Sequence, residues 1–150
     1  MEATALLKKD HATVKALFKQ FEAAGDRAGQ KKQRLFDEIK TELDVHAAIE
    51  EEIFYPAMQE VRSKEVKDLV LEALEEHKVV KTLLAQIALL RPSDEKFDAK
   101  VKVLQENVEH HADEEEKEMF PQAKKQLSDE KRKDLGKQME ARKARAASAA

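Results

Sequence analysis

The stretch HAAIEEEIFYP, residues 46–56, returns 65 residues later as HADEEEKEMFP, residues 111–121. His46, Glu50 and Pro56 therefore have counterparts in His111, Glu115 and Pro121. An earlier echo accompanies each copy, because Asp10-His11 and Glu76-His77 stand 66 residues apart. Offsets this close describe a chain built twice from one unit.

Outward from these anchors the apolar residues recur at helical spacing. Leu7, His11, Val14, Phe18 and Phe21 line one face of a first helix over about Ala3 to Ala24, which Gly25, Asp26 and Gly29 end. Leu35, Ile39, Leu43, His46, Ile49, Ile53 and Phe54 do the same for a second helix, from about Gln30 to Val61. The third runs from about Lys64, capped by Ser63, to Leu90, and the fourth from a cap at Ser93 to about Gln126. Long amphipathic helices joined by short loops predict an all-α, up-down-up-down antiparallel four-helix bundle over residues 1–127. Residues 128–150 add a C-terminal helix and frayed tail, with seven basic and two acidic residues from 131 onward.

Composition agrees. Of the 150 residues, 39% are charged and only three are Gly and three Pro, which suits helices. A net charge of -3 gives no general attraction to nucleic acid or to an anionic membrane, so neither is an expected partner. The absence of cysteine excludes disulfides and thiolate metal sites, leaving nitrogen and oxygen donors. Without an apolar leader or a spanning run, the chain is expected in the cytoplasm.

A histidine and a glutamate four apart on a helix share one face and can reach one ion or an adjacent pair. Each unit adds one further histidine, giving two imidazoles and one carboxylate, a set suited to non-haem iron with open positions. The expected metal ligands are His11, His46, Glu50, His77, His111 and Glu115, with no catalytic residue beyond them. His110 and Glu114 offer a rival register, but Pro121 lies ten residues after His111, as Pro56 does after His46. His110 and Tyr55 are left as neighbours that could touch the ligands from outside. Glu51, Glu52, Glu114 and Glu116 are expected mostly in solvent. Lys81, one turn after His77, cannot coordinate while protonated.

From about Leu6 to Gln126 the sequence resembles the hemerythrin HHE cation-binding family, on the strength of His11, His77 and the two quoted segments. The resemblance implies a four-helix bundle with two iron ions, oxo- or hydroxo-bridged, that meets O2, H2O2 or NO in oxidative or nitrosative stress. The same donors also suit zinc or manganese. Oxygen-carrying members have a fifth histidine where this chain has Lys81, so the expectation moves from storage toward peroxide or nitric oxide chemistry, with catalase-like or peroxidase activity as its enzymatic form. The alternative is a non-catalytic iron-binding or sensing protein in iron homeostasis.

Overall fold

The structure is a computed structural model and describes residues 1–25 and 27–149. Asp26, assigned above to the first interhelical turn, lies outside the described residues. Four antiparallel helical rods form an up-down-up-down bundle, with one more helix at the C-terminal end. The first rod is α1, Ala3–Ala23. The second consists of α2, Gly29–Ile49, a π-helical turn, Glu50–Phe54, and α3, Tyr55–Gln59. The third is α4, Lys64–Ala88. The fourth repeats the second: α5, Glu95–Glu114, a π-helical turn, Glu115–Met119, and α6, Phe120–Gln126. The fifth helix is α7, Asp129–Ala149.

Local chemistry sets the ends. Ser63 Oγ accepts from Val66 N at 3.3 Å and starts α4 as expected. The cap of α5 is Asp94, not Ser93: its carboxylate accepts from Lys96 N at 2.9 Å. A carboxylate there also complements the helix dipole.

The two prolines do not end their helices. Each follows a π turn, in which Tyr55 N bonds Glu50 O and Phe120 N bonds Glu115 O. A proline has no N–H and crowds the carbonyl of the preceding turn, and a wider turn relieves both problems without breaking the rod. The inserted residue has a second effect. It rotates Tyr55 and Phe120 onto the face that carries the histidine and glutamate four residues apart.

Two apolar layers fill the bundle. One gathers Leu7, Ile49, Phe54, Met58, Val70 and Phe120, and the other Val14, Phe18, Phe36, Ile39, Ile87 and Phe97. On every rod the sequence passes from one layer to the other through one buried histidine: His11, His46, His77 and His111. A polar layer therefore divides the core.

Helix α7, the C-terminal helix expected from the sequence, carries two core residues, Leu135 and Met139, which join the first layer. The N-terminus crosses it closely, and a Cβ at Gly136 would run into Met1 O. Arg142 pairs with Glu52 and Lys143 with Asp10, which brings the basic segment against the bundle. No described helix is long and apolar enough to cross a membrane.

Candidate metal centre

The six expected ligands, drawn from four rods, meet in the polar layer, and all six are buried. Donor atoms of His11, His46, Glu50 and Glu115 lie within 4.8 Å of one another, as do those of Glu50, His77 and His111. The imidazoles thus pair within each sequence unit, and the carboxylates stand between the pairs. Glu50 Oε1 is 3.3 Å from His46 Nε2 and 3.0 Å from His77 Nε2. Glu115 Oε1 is 3.1 Å from His11 Nε2 and 3.4 Å from His111 Nε2. Each glutamate reaches across to an imidazole of the other unit.

All four imidazoles turn Nε2 inward, and each Nδ1–H donates outward to a carboxylate. His11 donates to Glu116 and His77 to Glu51, both at 2.7 Å. His46 donates to Asp10 at 2.9 Å, and His111 to Glu76 at 2.7 Å. Such bonds fix the tautomer, leaving the Nε2 lone pair for an ion and making the imidazole a stronger donor. Sequence reasoning missed this role and placed Glu51 and Glu116 in solvent. The repeat held the signal, since Asp10 and Glu76 precede equivalent histidines and Glu51 and Glu116 follow equivalent glutamates.

The two expected outside neighbours differ in position. Tyr55 donates its hydroxyl proton to Glu115 Oε2 at 2.6 Å and lies 3.3 Å from Nε2 of both His77 and His111. Its counterpart Phe120 stacks on the His11 ring, with centroids 5.9 Å apart. The His110 side chain is 66% exposed and faces Glu114 at 3.0 Å and Glu76 at 3.8 Å, so it touches a residue that holds His111 rather than one of the six expected ligands. Lys81 pairs with Glu51, the carboxylate behind His77.

The electrostatics call for positive charge. Burial alone would lower His46, but Glu50, Asp10 and Glu115 outweigh it and push the imidazole up to about 10. Burial likewise opposes protonation of His111, yet Glu115, Glu50 and Glu76 push it up to about 11. Burial works against ionisation of Glu50, and the neighbouring His46 and hydrogen bonds hold it well below the usual carboxylate range. Burial and the charge of Glu50 raise Glu115. Burial, with both glutamates adding to it, lifts Tyr55 well above the ordinary phenol value, so it remains a proton donor.

Two buried atoms in this layer, His46 Nε2 and Glu50 Oε2, have no hydrogen-bond partner. Unpaired buried donors and acceptors are costly. A cation between the glutamates would satisfy both atoms and take the place of the protons that the histidines attract. The residues present therefore fit a bound metal.

A cavity of about 40 Å³ opens onto the four histidines, and its remaining wall includes Val14, Leu43, Val80, Leu84, Val108 and Ala112. Lys15 and Lys81 stand at its edge.

With this geometry in view, known proteins supply a family. The profile of the hemerythrin HHE cation binding domain matches residues 2–123. A DNA nickase of Nostoc sp. is 34% identical over 125 residues, 83% of this chain but 34% of that protein, so the chain spans about a third of its length. An uncharacterized protein of Mycobacterium tuberculosis is 29% identical over 143 residues, 95% of this chain and 85% of that one. The crystal structure of a hemerythrin HHE cation binding domain-containing protein from Mycobacterium kansasii superposes with a TM-score of 0.84 at 28% identity, covering 97% of this chain and 87% of that one. The chain belongs to the hemerythrin HHE cation-binding family.

Proposed function

We propose that the chain is a non-haem di-iron protein that binds or reacts with O2, H2O2 or NO in handling peroxide, oxidative or nitrosative stress. His11 and His46 would hold one ion, His77 and His111 the other, with Glu50 and Glu115 shared. When bound, the iron pair supplies electron transfer and coordination positions open to a small oxidant.

The observation that carries this reading is the cavity on the histidines. At about 40 Å³ it has room for a molecule the size of O2, NO or peroxide. Its wall is mostly apolar, so charges at the centre are screened less than in open water. The four outward carboxylates keep the imidazoles oriented without help from the ligand. Tyr55 holds a proton against Glu115 on one side of the centre. Lys81, tied to Glu51, puts no imidazole at the position expected of an oxygen carrier.

Metal analysis and peroxide kinetics test the proposal. Purified protein should contain two iron ions per chain and consume peroxide, and His77→Ala should abolish the reaction. Ala112→Val, which fills the cavity, should keep the iron and slow the reaction. Stoichiometric zinc, from cells supplied with both metals, would overturn the iron assignment. Full iron with no response to O2, peroxide or NO would favour an iron-binding or sensing role, which the recruitment of buried ligands from all four rods also suits.

A further inference from the structure

The two sequence units build nearly the same half-site, yet among the described residues the fifth helix gives a side-chain partner to only one of the four carboxylates behind the histidines, Asp10. Asp10 and Glu76 are equivalent in the repeat, and each accepts the Nδ1–H of the second histidine in its own unit. Asp10 is buried, at 5% exposed, and its other oxygen accepts from Lys143 of α7. The Glu76 side chain is 23% exposed, has no partner from α7 among the described residues, and faces only His110 and Glu114 on its outer side.

We propose that Lys143 is a positioning residue for the metal centre: by holding Asp10 it fixes the His46 imidazole, so that the fifth helix governs the His11–His46 half and leaves the His77–His111 half alone. The proposal rests on the metal-centre reading above. Its physical basis is the two oxygens of Asp10, which face different partners. One takes the histidine proton, and the other, buried beside α7, needs a cation to compensate it.

Without Lys143 the carboxylate has an alternative. An open groove lined by Met1, Lys9, Thr13, Glu42 and Glu140 lies beside it, so Asp10 can turn outward into water. His46 Nδ1 then loses its acceptor and Nε2 its fixed direction. Lys81 makes the analogous contact to Glu51 behind His77, but from α4, one of the four rods, rather than from α7.

The test uses the full chain and three variants: Lys143→Met, which keeps the aliphatic stem, Lys143→Arg, which keeps the charge, and Arg142→Met, which removes the neighbouring tie to Glu52. Ferrous iron is titrated anaerobically into each. Lys143→Met should weaken one of the two ions by about tenfold, the lower edge of what loss of a ligand's outer partner costs. Lys143→Arg should restore it, and Arg142→Met should leave both ions unchanged. Wild-type affinity for both ions in Lys143→Met, or equal weakening by Arg142→Met, would overturn the proposal, the latter because it would indicate general loosening of α7.

A second readout needs no metal. In the metal-free protein the Nδ1–H resonance of His46 should shift or broaden in Lys143→Met while that of His111 stays in place. An unmoved His46 resonance would overturn the proposal. Should the wild type take up no metal at all, the di-iron reading fails, and this resonance still decides the role of Lys143.

Discussion

Tyr55 and Phe120 occupy the same position in the two copies of the repeat, and only Tyr55 carries a hydroxyl to the centre. That hydroxyl donates to Glu115 Oε2 at 2.6 Å, whereas Phe120 lies flat against His11. Both rings reach this layer because a π turn precedes each of them. The duplication therefore made the frame symmetric, and one oxygen atom makes its interior unequal.

Tyr55→Phe removes the donor and leaves a buried carboxylate oxygen without it. The expected cost in the metal-free protein is about 1–3 kcal/mol, read by urea denaturation. Iron content should remain at the wild-type value, since the tyrosine is not among the six proposed ligands. No loss of stability would mean that Glu115 finds another donor when the hydroxyl is gone.

The register of the fourth rod gives a sharper contrast. His111 is buried at the centre, while His110 is mostly exposed beside Glu114. His111→Ala should lose one ion from the stoichiometry. His110→Ala should retain both and change stability by less than about 0.5 kcal/mol, as most surface substitutions do. Equal metal loss in the two variants would reverse the assignment made from the prolines.

The carboxylates behind the histidines test what the sequence did not reveal. Glu51→Gln and Glu116→Gln keep the side-chain size but weaken the acceptor for His77 and His11. Each should lower metal affinity about 10- to 100-fold, measured by competition with a chromophoric chelator. Glu52→Gln is the control: its side chain reaches Arg142 rather than a histidine, and affinity should stay at the wild-type value.

These four carboxylates mark the boundary of what could be read in advance. The rods were legible because apolar residues recur at helical period. The six proposed ligands stood out because His46 and Glu50 repeat as His111 and Glu115. Glu51 and Glu116 were lost because helical periodicity assigns a residue next to a ligand to the outer face. At the edge of a narrow bundle the side chain is long enough to turn back and meet the neighbouring rod. The inward rotation of Tyr55 was hidden for a related reason, since a π turn shifts the face by one residue and leaves no apolar signature. Leu135 and Met139 were obscured by the lysines and arginines around them, although two apolar residues four apart suffice to seat a helix on a formed core.

Metal removal and pH act on the same atoms, so the last prediction concerns both. In the metal-free bundle the surrounding carboxylates push His46 up to about 10 and His111 up to about 11, from an ordinary value of 6.5. A raised folded-state value means that the folded protein binds the proton more tightly than the unfolded chain does. This contribution to stability is complete below about pH 6.5 and is lost as pH rises toward 10 to 11. The metal-free protein should therefore melt lower at pH 9.5 than at pH 7, by on the order of 10 °C. In the loaded protein the cations have already displaced these protons, so the same change in pH should shift melting far less, and loading should raise the melting temperature most at alkaline pH. Melting curves with and without a chelator at the two pH values measure both effects. A metal-free protein equally stable at pH 7 and 9.5 would show that His46 and His111 are not held protonated by their carboxylate neighbours, and the electrostatic case for a cation in this layer would fall with that result.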